Sequence, residues 1–95
     1  RQKYLVWGPY WEGGIVVFKP GQQLGKHYHK EVEETFIILS GSGKIVVNDV
    51  EYRMTPGDVY KVEPGETHNI INDTDEEIRA IFIKCPYKPE DKVSV

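Results

Sequence analysis

Apolar residues fall in short bursts between evenly spaced turns, and no run of helical period is long enough to form a useful helix. The turns are marked by Pro20-Gly21, Gly41-Ser42-Gly43, Asn48-Asp49, Pro56-Gly57, Pro64-Gly65 and Asn72-Asp73, and from Asn48 onward they recur at 48, 56, 64 and 72. Short runs of this kind between Gly and Pro turns predict an all-β sandwich or barrel. The expected strands are 4–7, 14–19, 22–29, 34–40, 44–48, 50–54, 59–62, 67–71 and 77–84. Pro56-Gly57-Asp58 reads as a tight turn between two antiparallel strands. Only the tail 86–91 leaves room for a helical turn, and Pro86 and Pro89 oppose it.

Two of these strands, Ile15-Val16-Val17-Phe18 and Phe36-Ile37-Ile38-Leu39, are apolar on both faces, where a strand solvated on one side alternates. If Glu34 faces a central cavity, Phe36 and Ile38 do so too. The same parity puts Ile70 beside His68, with Tyr60 and Phe82 as wall residues and Tyr52 either wall or surface. Ile37 and Leu39 then point outward and need a cover. One candidate is the N-terminal segment with Tyr4, Trp7, Tyr10 and Trp11; the other is a second subunit. The expectation is a homodimer with Ile37 or Leu39 near the contact.

Composition narrows the setting. The 95 residues form one domain, 1–95. A net charge of −3 with dispersed Lys and Arg argues against nucleic acid as a partner. The longest apolar run is too short for a membrane span or a signal-peptide core. Cys85 is the one cysteine, so no internal disulfide forms and the expected location is cytoplasmic. Cys85 reads as a strand-end residue without a special role, and the run Asp73, Asp75, Glu76, Glu77 as a solvated loop. The chain starts at Arg1 rather than Met, so a short leader is expected to precede it.

The chemistry concentrates in two turn-bounded segments, 21–41 and 57–72, which hold all three histidines. On a strand, His27 and His29 share one face. Buried imidazoles need partners for their ring nitrogens. A lone His-x-His therefore fits a surface pair or a backbone-bonded core pair as readily as a metal site. Three imidazoles and a carboxylate such as Glu34 also match what a borderline first-row ion prefers.

Taken together, the two segments resemble the cupin superfamily. Gly21, five residues, His27, one residue, His29, four residues, Glu34, six residues and Gly41 satisfy that family's first motif throughout. Gly57, Gly65, His68 and Asn72 fit the second, with the proline at Pro64 where the motif places it at Glu63. The spacer 42–56 has the short form of small members. The resemblance implies a double-stranded β-helix, or jelly-roll barrel. It also implies that His27, His29, Glu34 and His68 bind one metal inside it. Glu31 and Glu33 compete with Glu34, but Glu33 would break the spacing to Gly41. Three nitrogens and one oxygen suit Fe, Mn, Ni or Co, and Zn also binds such ligands.

Members of this superfamily include isomerases, dioxygenases, decarboxylases, lyases and non-catalytic binders, and fold does not choose among them. With the ligands assigned, no histidine remains for proton transfer. That work falls to water on the metal, to a carboxylate, or to a tyrosine, with Tyr60 the catalytic candidate. Lys19, Lys26 and Arg53 are not placed inside, which disfavours a phosphorylated substrate. The reading is a metal-dependent enzyme on a small polar molecule held in the barrel, such as a sugar, sugar acid, enolisable carbonyl or hydroxy acid. The alternative is a non-catalytic module binding a small molecule or the ion.

Overall fold

The turn-punctuated sequence folds into ten strands, seen in a computed structural model that describes residues 2–95. They are β1 (Gln2–Trp7), β2 (Glu12–Phe18), β3 (His27–His29), β4 (Glu33–Ser40), β5 (Gly43–Val47), β6 (Val50–Met54), β7 (Val59–Val62), β8 (His68–Ile71), β9 (Ile78–Cys85) and β10 (Lys92–Ser94). Two antiparallel sheets face each other, one ordered β1-β2-β9-β4-β7 and the other β10-β3-β8-β5-β6. This is the all-β double-stranded arrangement expected. No helix of the described residues is long and apolar enough to cross a membrane.

Strand parity divides the interior into layers. In the first sheet, Gly14, Phe82, Phe36 and Tyr60 stand opposite one another across β2, β9, β4 and β7. Two residues along each strand lies a parallel row of Glu12, Lys84, Glu34 and Val62. Beyond the aromatic row, Val16, Ile38, Ile78 and Ala80 join Ile45, Met54 and Ile70 of the other sheet in a closed apolar core. The barrel is therefore apolar at one end and polar at the other. A one-residue slip of β4 or β9 would exchange the two faces.

Several sequence expectations need correction. The expected strand 22–29 is reduced to His27–His29 plus a single bridge between Gln23 and Ile71. Gly25 breaks the ladder with a φ of +98°, and its N–H goes to the Asn69 side chain. The turn at Pro56-Gly57-Asp58 forms, but it joins strands of different sheets. Gly57 N–H donates to the Ile38 carbonyl and Ile38 N–H to the Asp58 carbonyl, which carries the chain across onto β4. The tail 86–91 contains no helical turn; it leads to β10, an unexpected edge strand paired with β3.

Nor does the N-terminal segment cover the outer face of the first sheet. It joins that sheet as edge strand β1, with a bulge between Tyr4 and Val6. Gly14 is required opposite the bulge, because a Cβ there would collide with the Lys3 carbonyl oxygen. Tyr4 turns inward, its ring 5.0 Å from that of Phe82. Trp7 and Tyr10 stay exposed, and only Trp11 packs over Gly13. The outer face keeps a groove of about 240 Å³ lined by Leu5, Trp11, Ile15, Ile81 and Ile83. Leu39 and Val59 are also exposed. Tyr52, of the second sheet, lies at the surface.

The motif glycines Gly21, Gly41, Gly57 and Gly65 all have φ between +83° and +91°, as backbone turns require. Asn72 of the second motif is a structural tie. It is buried, it donates to the carbonyls of Phe18 and Glu76, and its side-chain oxygen accepts from the Thr74 N–H and hydroxyl. Asn72→Ala would strand these buried partners. We expect a loss of about 3 kcal/mol in urea unfolding, with the slope unchanged.

Candidate metal centre

The two sheets contribute different candidate ligands to one point. β4 carries Glu34; β3 carries His27 and His29, and β8 carries His68 directly opposite His27. All four side chains are buried, and one ligand atom from each lies within 4.8 Å of the others. Bonds of about 2.1 Å to a common centre would span about 4.2 Å across it, so only small shifts separate this cluster from a closed coordination sphere.

Proton bookkeeping shows why a cation fits. His27 Nδ1 lies 2.7 Å from the Gly25 carbonyl oxygen, so it carries the proton and leaves Nε2 free. His68 places Nδ1 3.3 Å from the Glu66 carbonyl oxygen and Nε2 3.3 Å from Glu34 Oε1. A neutral ring has one N–H, so it cannot satisfy both. His29 Nε2 approaches the same Oε1 at 3.2 Å. Among the described residues, Glu34 Oε2 is the one buried side-chain polar atom without a hydrogen-bond partner. Such an orphan is costly unless something positive meets it. The donor set, three imidazoles and a carboxylate, is that of a first-row divalent ion.

The site is also tuned for deprotonated ligands. Burial, reinforced by the neighbouring His68, Lys92 and His29 against the raising effect of the Gly25 carbonyl, brings His27 down from 6.5 to about 4. Burial alone would raise Glu34, but hydrogen bonds from His29 and His68 and the charge of Lys84 outweigh it and hold the carboxyl at about 2.

The structure separates Glu34 from its competitors. Glu33 points outward to Lys61 at 3.3 Å, and Glu31 pairs with Lys88 at 3.3 Å on the surface. Tyr60 does not line the cavity at the histidines; its hydroxyl, with one proton to give, lies 3.0 Å from Asp58 Oδ2 and 3.2 Å from the Arg53 carbonyl oxygen. Arg53 is engaged by Asp73 in a two-pronged pair, so Asp73 is not simply a solvated loop charge. Lys26 pairs with Asp49 at the surface, and Lys19 is exposed.

Tyr4, Glu12 and Lys84 are among the cavity residues that were not read from the sequence. A pocket of about 150 Å³ opens beside the cluster, lined by His27, His29 and Glu34 together with Tyr4, Glu12 and Lys84. Lys84 Nζ donates to the Tyr4 hydroxyl at 2.9 Å and lies 4.0 Å from Glu12 Oε1. Parity could have found two of them. Lys84 follows Ile78, Ala80 and Phe82 at steps of two, and Glu12 precedes Gly14, Val16 and Phe18. The C-terminal segment completes the rim with Pro86, Lys88, Pro89 and Lys92. It is held there by Asp91, which accepts the N–H groups of Glu31 and Val32.

Thermal melting tests the assignment. In ion-free protein His27 titrates lower folded than unfolded, so the unfolded chain binds more protons between about 6.5 and 4, and stability rises with pH across that range and is lost as the pH drops through it. Glu34 adds a contribution present above 4.5 and lost toward about 2. An ion at a hundred times its Kd adds about 2.7 kcal/mol, or roughly 10 °C or more in Tm. Protons compete for the same nitrogens, so a chelator should lower Tm at about pH 7.5 and do little at about pH 5. His68→Ala should remove most of the chelator-sensitive shift, and Glu33→Ala should leave it intact. Retention in Glu34→Ala with loss in Glu33→Ala would refute the fourth ligand.

Comparison with known proteins agrees with this architecture. Residues 14–84 match the family model described as a cupin domain, a stretch that includes His27, His29, Glu34 and His68. The chain is 28% identical over 76 residues to protein SchB of Streptomyces halstedii, covering 80% of this chain and 55% of that protein. It is 36% identical over 66 residues to an oxalate-binding protein of Thermotoga maritima, covering 67% and 54% respectively. The chain thus spans about half the length of these curated relatives. A Klebsiella pneumoniae protein with a double-stranded β-helix domain superposes with a TM-score of 0.92 at 18% identity, over 100% of this chain and 83% of that one. With the family match extending over most of its length, the chain belongs to the cupin domain family.

Proposed function

We propose that this cupin is a metal-dependent enzyme acting on a small polar substrate such as an enolisable carbonyl compound or a hydroxy acid. One observation carries the reading: the ligand cluster borders an open cavity that also holds a carboxylate, Glu12, outside the ligand set. His27, His29, Glu34 and His68 would hold Mn, Fe, Co, Ni or Zn. Once bound, such an ion supplies Lewis-acid polarisation of a carbonyl or hydroxyl oxygen. Glu12 would accept the proton released from the substrate, since its carboxylate is buried at the cavity wall with Lys84 as its charged neighbour. Leu24 and Val32 add apolar surface to the cavity wall. The single exposed thiol, Cys85, fits the cytoplasm as its setting.

A second reading, non-catalytic binding, is favoured by the Thermotoga maritima relative named for binding oxalate. Deuterium uptake from D₂O at the carbon next to a carbonyl, measured together with oxygen consumption, separates the two. Protein loaded with each ion in turn should catalyse one or the other on a panel of small hydroxy and keto acids. Glu12→Gln should slow proton exchange by about a hundredfold. Full metal loading without turnover of any acid would favour the binder.

The open apolar face of the first sheet supports a homodimer. Leu5, Ile15, Ile37, Leu39, Val59, Ile81 and Ile83 are exposed or half-buried there, and a second copy of that face would cover them. Light scattering should give twice the 11.0 kDa chain mass, with Leu39→Glu shifting it toward monomer. A wild-type monomer at all practical concentrations would reject the dimer.

A further inference from the structure

Resting on the metal reading above, we propose that the cavity selects a small carboxylic acid and that Lys84 is the residue that recognises it. Lys84 is a mostly buried cation, with its side chain 16% exposed. Its Nζ makes one hydrogen bond among the described residues, to the Tyr4 hydroxyl. Glu12 Oε1, at 4.0 Å, attracts it without hydrogen-bonding it. An ammonium has three N–H donors. It is held at the hydroxyl edge of Tyr4, 5.4 Å from that ring's centroid, and lies 5.6 Å from the centroid of Phe82. A buried cation fixed this way, with donors to spare on a cavity wall, calls for an anionic acceptor.

The charge count agrees. Glu12 and Glu34 contribute two negative charges, Lys84 one positive, and a divalent ion two more, leaving one net positive charge in the filled pocket. Lys88 and Lys92 stand at the rim and add to the positive field, with Lys88 partly offset by Glu31. Size sets the other limit. About 150 Å³ matches an engineered cavity that takes benzene, so the ligand has roughly six heavy atoms. Lys84 is the cross-strand neighbour of Glu34 as well as of Glu12. One end of a short acid can therefore meet the ammonium while an oxygen at its other end faces the ligand cluster.

The test uses malonate and its neutral isostere malonamide, titrated calorimetrically into the full chain loaded with Mn(II), with Mn(II) affinity measured separately. Malonate should bind and malonamide should not. Lys84→Gln should weaken malonate about tenfold or more, while Mn(II) affinity stays equal or rises because a neighbouring positive charge is gone. Lys84→Arg should keep most of the malonate affinity. Should Lys84→Gln fail to fold with Glu12 left unpaired, the charge-balanced double variant Glu12→Gln/Lys84→Gln carries the same expectation for malonate. Equal binding of malonate and malonamide, unchanged malonate affinity in the variants, or a joint fall of malonate and Mn(II) affinity would overturn the proposal. If the wild type takes up no ion, the metal reading fails on that titration alone. Malonate binding to ion-free protein that Lys84→Gln abolishes would then uphold the role of Lys84, and absence of such binding would end it.

Discussion

A carboxylate inside a β-barrel has to be neutralised where it stands, and Glu34 sets that condition for this molecule. Its burial alone would favour the protonated acid. Two imidazoles from the facing sheet and one ammonium from the adjoining strand reverse this. Their positions follow from register. Lys84 lies beside Glu34 because β9 pairs with β4 at that residue, and His68 faces it because β8 belongs to the opposite sheet. The aromatic row of Phe82 and Phe36 then seals the polar layer from the apolar core. Several kcal/mol of desolvation are offset by partners drawn from both sheets, and removing any one leaves the others exposed to that cost.

The buried His/Glu cluster also bridges parts of the fold that share few other contacts. β3 has three residues and pairs with β8 at His27 and His68 only. Its other edge is covered by β10, where Lys92 stands opposite His29 and Ser94 opposite His27. An ion held by both sheets would act as a cross-link at the end of the barrel where the hydrogen-bonded ladder is thinnest. The apolar end needs no such help, since Phe36, Ile38, Ile45, Met54, Ile70 and Phe82 already fill it.

The legible parts of the sequence were those governed by local rules. Turn residues and strand parity placed the strands between residues 33 and 85 and the inward positions of Phe36 and Ile38, while the four residues of the cluster were picked out by the resemblance to the cupin motifs. What was not legible depends on pairing between distant segments. β10 is a three-residue edge strand whose existence rests on β3 and on Asp91 reaching the Glu31 and Val32 amides. Tyr4 looks like part of an outer aromatic cover until the β1 bulge turns it inward against Phe82. Lys84 has the correct parity, but a lysine next to an exposed strand end reads as solvated. Only the alignment of β2, β9 and β4 shows it between two carboxylates.

The family match begins at Gly14 and ends at Lys84. All four residues of the cluster fall inside it, while much of the cavity wall falls outside: Gln2, Tyr4 and Glu12 before, and Pro86, Lys88, Pro89 and Lys92 after. The stretch matched to the family thus carries the four-residue cluster, and the two flanks carry a collar around the mouth of the cavity. That collar is built into the cluster's own support, since β10 of the C-terminal flank pairs with β3, which carries His27 and His29, and Tyr4 of the N-terminal flank packs on Phe82.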